Sequence, residues 1–181
     1  MFLVDWLTTL LRLLGLSSKK ARIIILGLDN AGKSTLLHKL CSNEVRAFVP
    51  TTKAHAKTFS LGSITFTAWD LGGHEQVRDL WEEYYSGADA IVFMVDSADH
   101  ERFDESKNEM LQLLAADNLM DIPVLVLANK NDMPNSAGKL ELSESLGLRD
   151  ADENRDIDIF SCSVLHGTGY VEAFRWLSAR L

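Results

Sequence analysis

Gly27, Gly32, Lys33 and Ser34 fit the pattern G-x-x-x-x-G-K-[ST], written here as Gly27-Leu28-Asp29-Asn30-Ala31-Gly32-Lys33-Ser34. The chemistry of that spacing is phosphate binding. Two glycines let the backbone curl until several N–H groups point at one phosphate chain. A helix N-terminus at the same place adds partial positive charge. The candidate phosphate-binding set is therefore Asp29, Asn30, Ala31, Gly32, Lys33, Ser34 and Thr35. Lys33 would reach the β- and γ-phosphates, and the Ser34 hydroxyl would ligate Mg²⁺.

Two further motifs carry chemistry. Asp70-Leu71-Gly72-Gly73 is a D-x-x-G run, and Asn129-Lys130-Asn131-Asp132 is an N-K-x-D run. The first gains its value from position, directly after a strand-like stretch. The second is specific in itself, and it too follows a strand.

The elements that must place these motifs are legible from periodicity. The run 21–26 is short, apolar and β-branched, so it is expected to be a buried strand, and 35–40 opens a helix. Residues 56–61 and 64–70 flank Gly62-Ser63 as a hairpin. Ile64, Phe66 and Ala68 share one face of its second arm. Residues 74–85 are expected to form a loop and then a helix carrying Val77, Leu80, Trp81 and Tyr84, for packing or for a partner. Strands are expected over 88–95, 122–128 and 159–162. Helices are expected over 102–116 (Phe103, Met110, Leu111 and Leu114 inward), 140–146 and 170–181. Strands alternating with helices imply a mostly parallel sheet covered on both faces. Ligands bind such sheets at the carboxyl ends of the strands, where Gly27, Asp70, Asn129 and Ser163 fall.

Composition narrows the classes. The chain of 181 residues is long enough for one full core. A net charge of −8 without an arginine-rich stripe argues against a nucleic-acid partner. Cys41 and Cys162 are far apart, in apolar surroundings and without metal-site spacing, as expected of a reduced cytosolic protein. No apolar run reaches the roughly 18–20 residues that span a bilayer.

Residues 1–14 form an amphipathic pattern in which Asp5, Thr8, Thr9 and Arg12 share one helical arc and Phe2, Leu3, Val4, Trp6, Leu7, Leu10, Leu11, Leu13 and Leu14 cover the rest. A signal peptide is not expected, because a basic leading segment and a small-residue cleavage site are both missing. Two readings stay open: a helix packed on the core, and a helix lying in a membrane interface with Trp6 at headgroup level. Lys19, Lys20 and Arg22 would add attraction to anionic lipid. Position 2 is Phe, so N-myristoylation is excluded.

Taken together, GLDNAGKS at 27–34, Pro50-Thr51, DLGG at 70–73, NKND at 129–132 and Cys162-Ser163-Val164 resemble a small GTPase of the Ras superfamily. GLDNAGKS and DLGG resemble the Arf/Sar family. The leading MFLVDW, VPT at 49–51 and His74 are similar to its Sar branch, whose members start COPII coat assembly at the endoplasmic reticulum. The resemblance implies a three-layer α-β-α P-loop NTPase fold, with a six-stranded, mostly parallel sheet and one antiparallel hairpin strand. It implies a membrane helix and linker over 1–20 and a GTPase domain over 21–181. It also implies slow GTP hydrolysis without an activator, and peripheral attachment to the endoplasmic reticulum, with the Golgi as a second site. The implied partners are membrane lipid, an exchange factor, a GTPase-activating inner coat subunit and other COPII components.

The resemblance also assigns roles. Asp132 would accept from guanine N1–H and N2–H₂, and a buried carboxylate left unpaired discriminates against adenine. Asn129 would bond the base edge and brace the loops. Lys130 would cover the base plane, and backbone groups at Ser163, Val164 and Leu165 would meet the O6 edge and the sugar. Ser34 and Thr51 would hold Mg²⁺ in the GTP state, with Asp70 direct or through water. The Gly72 or Gly73 N–H would reach the γ-phosphate. His74 stands where most Ras-like proteins carry the glutamine that orients the attacking water, which an imidazole can also hydrogen-bond. Ser34 departs from the family's usual Thr, and the segment 147–159 is shorter than in Sar proteins. Rival readings are a P-loop ATPase or nucleotide kinase, a nucleotide-locked scaffold, and an Arf-like GTPase recruiting effectors to another membrane.

Overall fold

Side chains alternate across a strand, so a strand covered on both faces must be apolar at every position. Ile23-Ile24-Ile25-Leu26 meets that demand. Ile23 and Ile25 enter one core cluster, and Ile24 and Leu26 the other. The computed structural model describes residues 19–42, 44–45, 54–78, 80–148 and 155–181. The expectations for 1–18 and for Pro50 and Thr51, and residues 149–154 of the short 147–159 segment, lie outside the described residues.

In chain order the elements are β1 (Lys19–Leu26), α1 (Lys33–Ser42), β2 (His55–Leu61), β3 (Ile64–Asp70), α2 (Glu75–Arg78), α3 (Glu82–Tyr85), β4 (Ala90–Asp96), α4 (Phe103–Ala115), β5 (Val124–Asn129), α5 (Lys139–Ser145), β6 (Ile157–Ser161) and α6 (Tyr170–Ser178). The six strands form one sheet in the order β2-β3-β1-β4-β5-β6. Only the β2–β3 pair is antiparallel. Leu36 and Leu37 of α1 and Phe174 and Leu177 of α6 cover one face. Trp81, Tyr85, Phe103, Met110, Leu113, Leu142 and Leu146 cover the other. The expected three-layer α/β architecture is therefore the observed one.

Details differ where local chemistry overrides period. The inward stripe of α4 is Phe103, Ser106, Met110 and Leu113, whereas Leu111 is 44% exposed. Phe103 and Met110 face inward as expected and Leu114 packs half-buried on the core, while the buried Ser106 hides part of the stripe from a hydrophobicity pattern. The helix expected before Tyr85 is two single turns, α2 and α3. Arg78 and Trp81 between them donate side-chain hydrogen bonds back to Gly73 O and Gly72 O, which folds the segment onto its own start. Trp81 is consequently buried and Leu80 exposed. Cys41 is exposed rather than apolar in its surroundings, with Sγ 3.8 Å from Thr58 O of β2, whereas Cys162 is buried and its thiol is pushed up to about 12. Gly147, at φ +69°, ends the helix as expected, since the left-handed region costs glycine little.

The β2–β3 hairpin reaches the core through three rings. Phe59 stacks on Phe66 at 5.2 Å, and Phe174 meets both edge-on at 5.7 Å. Phe174→Ala is expected to destabilise the fold by about 3–5 kcal/mol. Leu111→Ala, on the exposed side of α4, is expected to cost less than about 1 kcal/mol. Urea unfolding with an unchanged m-value measures both.

Candidate functional site

Four strands of one sheet, two on either side of β4, each deliver a motif at their carboxyl ends. β1 opens into the 27–34 loop, β3 ends at Asp70, β5 ends at Asn129, and β6 is followed by Cys162-Ser163-Val164. The loop between β1 and α1 takes the left-handed region three times, at Gly27 (φ 126°), Asn30 (φ 62°) and Gly32 (φ 101°). A Cβ on Gly27 would lie 2.1 Å from Met94 O, and one on Gly32 would lie 2.4 Å from Asn129 Nδ2. Both glycines are thus required by contact as well as by conformation.

Asn129 ties three of the motifs together. Its Nδ2 donates to Ala31 O at 2.8 Å, and its Oδ1 accepts from the Val164 N–H at 3.1 Å. Ser97 Oγ donates to Asn129 O at 2.6 Å from the end of β4. Lys130 holds φ 65° and pairs with Asp96 at 2.5 Å. The Asp132 carboxyl is held below its usual range, chiefly by a hydrogen bond from the Ser163 side chain, and lies 3.8 Å from His166. The Asp132 side chain keeps 22% exposure, so the expected buried carboxylate stands partly open to solvent here. Ser163 and Val164 are buried, and Leu165 is 62% exposed.

At the other end of the loop, Lys33 folds back and donates from Nζ to Gly27 O and Leu28 O, both at 2.7 Å. The Ser34 hydroxyl donates to Asp70 Oδ2 at 2.6 Å. Ser34 and Asp70 thus place hard oxygen donors together, as a small divalent cation prefers. Gly73 packs on the loop. Its carbonyl accepts from the Asp29 N–H at 3.1 Å, and a Cβ there would lie 2.3 Å from Asp29 N. His74 beside it is exposed. Thr35 sits in the first turn of α1, half-buried. Thr51 lies outside the described residues.

A group of residues that sequence reasoning missed joins these parts. Arg102 Nη2 donates to Asp29 Oδ1 at 2.8 Å, and its Nε donates to Glu105 Oε2 at 2.7 Å. Arg78 donates from Nη2 to Glu105 at 2.5 Å, from Nη1 to Glu109 at 2.9 Å, and from Nε to Gly73 O at 2.8 Å. The Arg102 hydrogen bond leads the interactions that pull the Glu105 carboxyl down to about 2. Burial pushes the Asp29 carboxyl up, but Arg102 outweighs it and leaves the group below its ordinary value. Only the Arg102/Glu105 spacing of three within one segment could have been noticed in the sequence. The pairs that matter join separate elements.

Burial lowers the Lys33 amine to about 8, against the pull of Asp70 and Asp29. The unfolded chain keeps that proton to about 10.5. Below about pH 8 both states are protonated and the burial penalty is fully present. Between about 8 and 10.5 the unfolded state binds more protons, so stability rises with pH. The ligand-free protein is expected to gain up to about 2 kcal/mol relative to Lys33→Met between pH 7.5 and 9.5. Urea midpoints of the two proteins measure that difference, since their other titrating groups cancel.

Residues 7–181 match the model of the ADP-ribosylation factor family. The chain is 40% identical over 187 residues, 98% of each protein, to the small COPII coat GTPase SAR1 of Giardia intestinalis. It is 42% identical over 163 residues to ADP-ribosylation factor K of Dictyostelium discoideum, covering 90% of this chain and 86% of that protein. The solved structure of the Arl6 BBS3 small GTPase from Trypanosoma brucei, with bound nucleotide analogue GppNp, matches with a TM-score of 0.82 at 33% identity. That match covers 89% of this chain and 96% of the other. The sheet and loop described above are thus those of a P-loop GTPase, and the chain belongs to the ADP-ribosylation factor family, within the Arf/Sar group of GTP-hydrolysing small GTPases.

Proposed function

We propose that this GTPase is a Sar-type membrane switch. It binds GDP or GTP, inserts an N-terminal helix within residues 1–20 into the endoplasmic reticulum membrane when GTP-bound, and there starts COPII coat assembly. Residues 21–181 are the GTPase domain. The protein is cytoplasmic between rounds, with the Golgi as a second membrane. The observation that carries the branch is the full-length likeness to SAR1 proteins, 98% of both chains for the Giardia protein, together with His74 after Gly73.

The nucleotide would lie along the edge built from 27–34, 129–132 and 163–165. Lys33, freed from Gly27 O and Leu28 O, would turn to the β- and γ-phosphates. Ser34 and Thr51 would ligate Mg²⁺ with Asp70 direct or through water, and the paired oxygens of Ser34 and Asp70 suit that ion. Mg²⁺ would neutralise phosphate charge. Asp132, partly open, would be covered by the base, with Lys130 along the base plane and Asn129 holding the loops.

Gly73 rests on the phosphate loop, which supports the reading that the Gly72 or Gly73 N–H would reach an added γ-phosphate. GTP therefore has a differential contact that GDP lacks, which a switch requires. The neighbouring hairpin is suited to move. β2 is the sheet edge, and of its residues only Phe59 is buried. Side-chain facing has period two, so a two-residue slide of β2–β3 keeps every inward residue inward.

Hydrolysis needs a partner. Among the described residues, Arg78 and Arg102 are the guanidinium groups beside Gly73 and Asp29, and internal carboxylates hold both. An activator must then supply an arginine in trans, the inner coat subunit in the Sar reading. A second reading, an Arf-like GTPase serving another membrane, is favoured by the 42% identity to ADP-ribosylation factor K.

Flotation on anionic liposomes tests the switch. The full chain is expected to float with a non-hydrolysable GTP analogue and to stay in solution with GDP. Recruitment of COPII inner-coat subunits to those liposomes assigns the Sar branch, and flotation without recruitment assigns the Arf-like one. Flotation independent of nucleotide would overturn the switch. His74→Ala is expected to bind GTP normally and to lose about 100-fold in activator-stimulated single turnover. An unchanged stimulated rate would remove His74 from the mechanism.

A further inference from the structure

A cavity of about 230 Å³ opens between the 75–85 segment and α4. It is far larger than the ~30 Å³ share of one water. Glu75, Glu82 and Glu109 line it with Arg78, Tyr85 and Gln112, and Trp81 contributes an aromatic wall. Three carboxylates face one guanidinium there. That guanidinium is already committed to Gly73 O, Glu105 and Glu109. Glu75 and Glu82 make no ion pair with any described residue.

Tyr85 makes the cavity more than an acidic cluster. Its side chain is only 5% exposed, lines the space, and forms no hydrogen bond with any described residue. Burial, followed by the charges of Glu82 and Glu109, pushes its hydroxyl up to about 12, so it stays protonated and sits near those two carboxylates. The Tyr85 oxygen is not sealed off but reaches the cavity, where it offers an acceptor lone pair beside Glu82 and Glu109.

We propose that this cavity receives the arginine side chain of a partner protein. A guanidinium offers several donors in one plane, enough for Glu75, Glu82 and the Tyr85 oxygen together, and it stacks on aromatic faces such as Trp81. An ammonium is more strongly hydrated and stacks less well. A protein source fits the flank of the cavity. Leu80, next in sequence to the Trp81 wall, is 48% exposed. It would be covered by a partner surface that carries the arginine. Arg78 in the cavity wall lies 4.0 Å from Asp29 Oδ1 of the 27–34 loop, but an arginine pocket there goes beyond the nucleotide contacts proposed above.

The test uses the full chain, with Nα-acetyl-arginine amide as probe and the Trp81 indole N–H resonance as readout, assigned with Trp81→Phe. A saturable shift is expected, with half-saturation near ~10 mM at low salt and weakening as salt rises. The citrulline analogue, of equal shape and no charge, is expected to give no saturable shift. Glu75→Gln/Glu82→Gln is expected to weaken the arginine probe about three- to tenfold, the worth of two partly exposed ion pairs. Tyr85→Phe is expected to weaken it further while the protein stays folded by circular dichroism. Absence of a saturable shift, an equal response to the citrulline analogue, or undiminished binding by both variants would each overturn the proposal. A stronger response to the lysine analogue would overturn the arginine assignment.

Discussion

One side-chain amide holds the nucleotide edge in register. Asn129 occupies the end of a central strand and spends its donor on Ala31 O and its acceptor on the Val164 N–H. Both partners are backbone groups of buried residues, so each would otherwise be left unsatisfied at a cost of ~1–3 kcal/mol. The same amide packs where a side chain on Gly32 would be. The phosphate loop, the N-K-x-D loop and the Ser163 loop are therefore one object. Glycine at 32 and asparagine at 129 are two halves of a single fit, which neither motif reveals when taken alone.

A second layer connects that object to the segment after Gly73. Asp29, Arg102, Glu105, Arg78 and the Gly73 carbonyl form a continuous chain of charge-assisted hydrogen bonds. Such bonds are stronger than neutral ones, and partial burial limits screening. The chain ties the 27–34 loop to the segment after Gly73, with α4 carrying Glu105 and Glu109. Trp81 adds a bond to Gly72 O. Two single-turn helices too short to be stable alone are thus set by side-chain anchors rather than by helical propensity.

The legibility of the chain follows from how local each feature is. Gly27 to Ser34 and Asn129 to Asp132 are contiguous, and the strands before them are apolar at nearly every position, so motif and context could be read together. Sheet layering followed from the same runs. Arg78, Arg102, Glu105 and Glu109 escaped notice because their partners lie in other elements, and Arg102 meets Asp29 across 73 residues of sequence. On α4 the expected Phe103, Met110 and Leu114 do pack on the core, but Leu113 takes the place given to Leu111, because Ser106 occupies a core site that a hydrophobicity pattern reads as polar. Trp81 had helical spacing with Val77 and Tyr84, yet the indole N–H found a carbonyl, and that bond decided its burial.

The two thiols differ in a way that has practical use. Cys162 is sealed in the core and stays protonated, while Cys41 stands at the surface of α1, its sulfur against the Thr58 carbonyl of the edge strand. A maleimide dye will therefore attach at one place in the folded molecule without any engineering. That place borders the hairpin whose sliding would carry the response to nucleotide. The native chain comes with its own attachment point for an optical reporter of that movement.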